Sequence, residues 1–161
     1  MGTPRVDSPN PRRLANAFGV YYMGVTFEVA FLETILRDTR NQNPATLLIA
    51  PKDLENYVHT QIMVRETLDL VDLRGGNAIT MGIPTDAVRA RSHRHGRRTR
   101  LAFYTHPRRP DGIYYPSRLN QDENIAVYDR AVHKLNAGPT RRLNQFPELA
   151  AVLDRYRIAI A

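Results

Sequence analysis

Glu33 lies in the stretch TFEVAFLETILRD, residues 26–38, among Phe27, Val29, Ala30, Phe31, Leu32, Ile35 and Leu36. Apolar residues almost all the way round a helix are the composition of a buried helix. A carboxylate there is either a charge at the solvent rim, the commoner case because burying one unpaired is expensive, or a working group. Thr26 and Glu33 are seven residues apart and fall on one side of such a helix, flanked by Val29, Ala30 and Leu36. Composition leaves the two roles of Glu33 open.

Other residues capable of chemistry give weaker signals. The run RARSHRHGRRTR, residues 89–100, holds six arginines and two histidines, which suits nucleic acid, yet it has no aromatic to stack on a base. A solvated face is the plainer meaning of such a run. His93 and His95 could share a metal, but an HxH pair with no further ligand at a recognised spacing carries little weight. Gly75 and Gly76 end a strand-like segment, and GGNAITMG matches no phosphate-cradling loop. Ser117, in YYPSRLN, lies in no GxSxG elbow and alone reads as a polar residue at a strand end. Of the adjacent Tyr21 and Tyr22, only one can line a given cleft, because strand neighbours point to opposite faces.

The chain has 161 residues and no cysteine, so thiolate nucleophiles, disulfides and thiolate zinc sites are excluded. Its length suits one domain with one core. A net charge of +7 favours anionic partners: nucleic acid, a phosphate-bearing metabolite or an acidic protein. Only Lys52 and Lys134 are lysines; arginine is the better bidentate binder of phosphate and carboxylate, although a GC-rich genome also favours arginine codons. The first residues have no apolar core of a signal peptide, and no run reaches the ~18 residues that span a bilayer, so a soluble cytoplasmic protein is expected.

The elements that must position these residues follow from local pattern. Residues 1–14 read as a Pro- and Arg-rich lead-in with order from about Ala15. FGVYYMGV reads as a buried strand ending near Gly24, feeding a helix capped by Thr26 with Glu28 in its first turn and Arg37 near its end. PKDLENYV is a short helix; HTQIMVRETLDLVDLRGG is one or two strands. Residues 84–106 suggest helix, break, helix, with Thr85 as a cap and Gly96 in the interruption. DGIYYPSRLN and ENIAVYDRAV are strands, FPELAAVLDRY is a helix and RIAIA a last strand. With no repeat and no regular βα rhythm, the expected class is α+β.

Three segments together resemble the RES domain family, named for an arginine, a glutamate and a serine. They are RVDSPNPRRLANAFGVYYMGVTFEVAFLETILRD, LDLVDLRGGNAITMGIPTDAVRA and LAFYTHPRRPDGIYYPSRLNQDENIAVYDRAV. The first is similar to the family's strand–helix unit, with a tyrosine eleven residues before the glutamate, met by Tyr22 and Glu33. The third is similar to its serine-bearing strand, met by Ser117, Arg118 and Asn120. The namesake arginine of the family lies about thirty residues before the tyrosine, and Tyr22 has 21 residues ahead of it. One RES domain over 1–161 is therefore expected, with or without the family's first strand, and Arg5 resembles a second family arginine.

The resemblance implies a fold similar to the ADP-ribosyltransferase toxins, with a mixed sheet and flanking helices. It implies cleavage of the nicotinamide–ribose bond of NAD+, by a phosphorylase or glycohydrolase, in a toxin–antitoxin pair. Protein ADP-ribosylation, or a non-catalytic binding module, is the alternative. Glu33 would stabilise the oxocarbenium ion, Tyr22 stack the nicotinamide and Ser117 hold a ribose hydroxyl. Arg5, Arg118 and Asn120 would help to bind NAD+, the arginines through pyrophosphate or an attacking phosphate. NAD+ is then a substrate, with inorganic phosphate as co-substrate, and neither cofactor nor metal is required. The implied partner is an Xre-like antitoxin encoded next to it; a homo-oligomer stays open, and direct nucleic-acid or membrane binding is not expected.

Overall fold

The computed structural model describes residues 3–7, 18–36, 47–83, 93–120 and 122–161, with backbone alone for 3–7 and 93–98. Its centre is a five-stranded mixed sheet in the order β1-β2-β7-β6-β5. The strands are β1 (Thr3–Asp7), β2 (Phe18–Gly24), β5 (Leu70–Asp72), β6 (Gly112–Pro116) and β7 (Glu123–Tyr128). β5 runs parallel to β6 and the other neighbours are antiparallel. Two small pairs complete the strands among the described residues: β3 (Leu47–Ile49) with β9 (Ile158–Ile160), and β4 (Val58–Val64) with β8 (Leu135–Arg142). The mixture of helices and strands around a mixed sheet is the α+β class expected.

Alternation along the sheet assigns its faces. Phe18, Val20 and Tyr22 share a face with Ala126 and Tyr128, because Val20 stands opposite Tyr128 and Tyr22 opposite Ala126. Ile113, opposite Ala126, and Tyr115, opposite Asn124, extend the same face. Most of it is covered by apolar residues of α3 (Asn77–Thr80) and α4 (His93–Tyr104): Ala78, Leu101, Phe103 and Tyr104. Phe18 stacks on Tyr104 at 4.3 Å, and both meet Tyr128 edge-on. Such aromatic pairs contribute about 0.5–1.5 kcal/mol each beyond the area they bury.

A second core gathers around α1. This helix, Phe27–Phe31, continues directly into a π-helical turn, Leu32–Leu36. Phe27, Phe31, Leu32 and Leu36 pack on Ile49, on Leu54 of α2 (Pro51–Glu55), on Leu143, and on Leu149 and Val152 of α5 (Leu149–Arg155). Thr26 caps α1 as expected: its backbone is extended and its Oγ1 accepts the Val29 N–H at 3.2 Å. Gly24 allows the helix to cross the strand closely, for a Cβ there would lie 2.5 Å from the Ala30 nitrogen and from Val29 Cγ1.

One polar network locks the sheet edge. Arg74, just past β5, pairs with Asp72 at 2.8 Å and with Glu123 of β7 at 2.7 Å, and its guanidinium lies 3.9 Å from the Tyr114 ring centroid. Tyr114 donates its hydroxyl to the other Glu123 oxygen. Three strands are thereby fixed at the end where Asn124 stands. The bonds donated by Arg74 hold the Asp72 carboxyl down at about 2.

Several local expectations need correction. Residues 3–7 are a strand paired with β2, not a lead-in; Pro4 is tolerated because β1 is at the sheet edge, where one side of the strand donates no ladder bond. Helix α4 runs through Gly96 without a break, since a single glycine costs only about 1 kcal/mol against alanine and the half-buried Leu101, Phe103 and Tyr104 pack on the core. The expected cap Thr85 lies outside the described residues. ENIAVYDRAV is a strand only to Tyr128, then a 3-10 turn over Asp129–Lys134. β8 was not foreseen, because its Gly138 and Pro139 read as breakers.

Two outcomes are expected here. Gly24→Ala should cost about 1–3 kcal/mol, measured by urea denaturation, because the atoms it meets include backbone of Ala30 and cannot rotate away. Asp72 has its carboxyl value depressed below the ordinary 3.8, so its pair stabilises fully above that pH and the contribution disappears as pH falls through about 2. Asp72→Asn should therefore lower stability at pH 7 and leave it unchanged near pH 2. The effect is small, because both partners are more than a third exposed, at 39% and 36%, and water screens them.

Candidate functional site

Glu33 is half-buried in the π-helical turn, between the buried Leu32 and Leu36. Its Oε1 accepts the Ser117 hydroxyl at 2.8 Å and the Asn124 amide Nδ2 at 3.3 Å. Among the described residues, nothing donates to Oε2. One carboxylate oxygen is thus tied down, and the other is left without a donor from the described residues. A π turn widens the helix at this point, a feature frequent at functional sites.

Both donors are themselves firmly held. Ser117 follows β6, is 3% exposed, and its Oγ accepts the Leu119 N–H at 3.1 Å while donating to Glu33. Its own N–H donates to the Asp122 carbonyl at 2.5 Å, which closes the loop between β6 and β7. Asn124 stands in β7, opposite Gly24 on one side and Tyr115 on the other, and is 4% exposed. Helix, loop and sheet therefore meet on one carboxylate.

Tyr22 shares the face of Asn124, one diagonal step away in the β2–β7 ladder. Its ring packs at the margin of the core under α4, and the Arg100 guanidinium lies 5.9 Å from its centroid. That arginine is the last residue of the basic run, so one end of the run turns toward the Tyr22 face. Arg5 stands opposite Val20 in β1, two positions from the partner of Tyr22. Arg118 is exposed beside Ser117. Asn120 reaches elsewhere: its amide donates to Asp122 at 2.8 Å and to Glu28 at 3.4 Å. The structure joins Glu33 and Ser117 directly, sets Tyr22 on the same face and ties Asn120 to a different carboxylate.

Asn124 was not foreseen. The signal was an amide at an inward position of an apolar strand, ENIAVY, where asparagine is disfavoured unless its side chain has a partner. Glu28, anticipated only as a complement to the helix dipole, accepts bonds from Tyr156 at 2.6 Å and Arg155 at 2.5 Å. The Tyr156 bond, with those of Asn120 and Arg155, outweighs burial and lowers its carboxyl below the ordinary range.

A groove of about 500 Å³ opens at the end of β2, lined by Met23, Phe27, His59, Ile62, Ile125 and Phe146 among others. It holds none of Glu33, Ser117, Asn124 or Tyr22. His59 lies there with its ring 4.1 Å from Phe146 and 5.3 Å from Phe27, and burial pushes its imidazole below the usual value. No described helix is long and apolar enough to cross a membrane.

Comparison with known proteins shows the family of the chain. The family model of the RES domain matches residues 6–145. The chain is 39% identical over 109 residues, 67% of its own length and 86% of the relative's, to a protein of Sinorhizobium fredii (strain NBRC 101917 / NGR234) named probable toxin y4kH. No solved structure matches.

Ser117→Ala and Asn124→Ala should each lower the unfolding free energy by about 1–3 kcal/mol, since each removes a buried donor. Because both serve one oxygen, the double variant should depart from additivity by about 0.5 kcal/mol or more. Urea denaturation of the four proteins checks this; strictly additive losses would show that the two donors do not share Glu33.

Proposed function

The chain belongs to the RES domain family, and on that premise we propose that it is a toxin-type enzyme that consumes NAD+ by cleaving the nicotinamide–ribose bond. The observation that carries this is the Glu33 carboxylate, held through Oε1 by Ser117 and Asn124 while Oε2 takes no donor from the described residues. As nicotinamide leaves with the bonding electron pair, positive charge develops on the ribose C1 and ring oxygen. A carboxylate already fixed beside that charge stabilises the transition state more than the ground state and needs no reorganisation. Water or inorganic phosphate then forms the new bond at C1, giving ADP-ribose or its 1-phosphate.

The remaining residues take supporting parts. Tyr22, on the face shared with Asn124, offers a ring for the cationic nicotinamide. Ser117, already donating to Glu33 and accepting from Leu119, has one lone pair left to accept from a ribose hydroxyl. Arg5, Arg118 and Asn120 are the candidate contacts to the rest of NAD+, with the arginines suited to its pyrophosphate. Asn120 can do so only by giving up a bond in its present set. The described relative is named a probable toxin, and for this chain that fits a partner antitoxin of the Xre type, cytoplasmic and encoded alongside, closing the cleft until it is removed.

Nicotinamide release from NAD+, followed by chromatography with and without phosphate, tests the proposal. Wild type should release it, with ADP-ribose 1-phosphate appearing if phosphate is the acceptor. Glu33→Gln should be slower by about 10²–10³-fold, the scale of losing one preorganised electrostatic group. No release by the folded wild type under either condition would overturn the proposal.

A further inference from the structure

The helix that carries Glu33 holds the Ser117 loop at a second point, through a carboxylate that the proposed chemistry does not use. Glu28 lies five residues before Glu33. Its Oε1 accepts the Tyr156 hydroxyl at 2.6 Å and the Asn120 amide at 3.4 Å, and its Oε2 accepts Arg155 Nη1 at 2.5 Å. Asn120 passes the connection on. Its amide donates to Asp122 Oδ2 at 2.8 Å, and its carbonyl accepts the Asp122 N–H at 3.2 Å. Asp122 closes the loop by accepting the Ser117 N–H on its carbonyl at 2.5 Å. The path of hydrogen bonds thus runs from Tyr156 through Glu28, Asn120 and Asp122 to the Ser117 backbone N–H.

We infer that Glu28 is a positioning residue for Ser117, and that Tyr156 and Arg155, beyond the residues 6–145 matched by the family model, act on the reaction centre through it. This inference deepens the proposed NAD+ cleavage and rests on it for its catalytic consequence. A serine at the end of a loop has freedom to turn away; two anchors from one helix, Glu33 on Ser117 and Glu28 on Asn120, remove that freedom. The Glu28 carboxylate is 18% exposed, so its bonds are partly shielded from competing water, whereas Arg155 at 67% is the more dispensable donor. Tyr156 also packs against the α1 core, which fixes where its hydroxyl arrives.

Glu28→Gln, which keeps the shape and removes the charge, and Tyr156→Phe, which keeps the ring and removes the hydroxyl, separate positioning from folding. Each should lower kcat for nicotinamide release about tenfold with KM changed less than about twofold, as expected when a reacting group is misplaced while substrate binding is preserved. Each should also speed hydrogen exchange at the Ser117 and Leu119 amides at least about tenfold, with the amides of β7 unchanged. Unchanged exchange at those two amides overturns the inference, as does faster exchange with unchanged kcat. If wild type releases no nicotinamide, the proposed function fails instead, and exchange alone then decides whether Glu28 holds the loop.

Discussion

Everything at the candidate site depends on how one carboxylate is kept in place. Glu33 is half-buried in an apolar helix, where an ionised group without partners would cost several kcal/mol. Ser117 and Asn124 offset that cost, and both are nearly inaccessible to solvent. Their bonds go to the same oxygen, so the carboxylate is oriented as well as stabilised. Three elements distant in sequence must be in register for this to happen: the π-helical turn, the loop after β6, and β7. The close crossing at Gly24 sets the first, and the Arg74, Asp72, Glu123 and Tyr114 network sets the other two.

Local pattern made the Glu33 arm of this arrangement legible and left the Asn124 arm hidden. FGVYYMGV, Thr26 and the apolar run after it state their strand, cap and helix through composition and spacing. Glu33 could be read either as a rim charge or as a working group, and the pattern shared with the family was needed to favour the second. Asn124 could not be placed, because its role depends on β7 pairing with β2 about a hundred residues earlier, and nothing local encodes that partner. β1 and β8 were hidden for a different reason. Their prolines and glycine argue against strands, and only the pairing across the ladder overrides them.

Glu28 shows how a residue can satisfy one principle and serve another. A glutamate in the first turn of a helix needs no explanation beyond the dipole. In the folded chain it also collects bonds from α5, from Tyr156 and from the Ser117 loop. The two small strand pairs bring the chain end back to this place: β9 lies beside β3, and the helix before it packs on α1. The end of the chain is in this way part of the scaffold for the site.

The aromatic groove at the end of β2 and the Glu33 carboxylate offer two different places for a ligand, and a crystal structure with ADP-ribose bound distinguishes them most directly. The account predicts the ribose C1 within about 3–4 Å of Glu33 Oε2, the distance of a near-attack arrangement, with the Tyr22 ring beside the space left by nicotinamide. ADP-ribose bound in the groove between Met23 and Phe146, with Glu33 untouched, would contradict it.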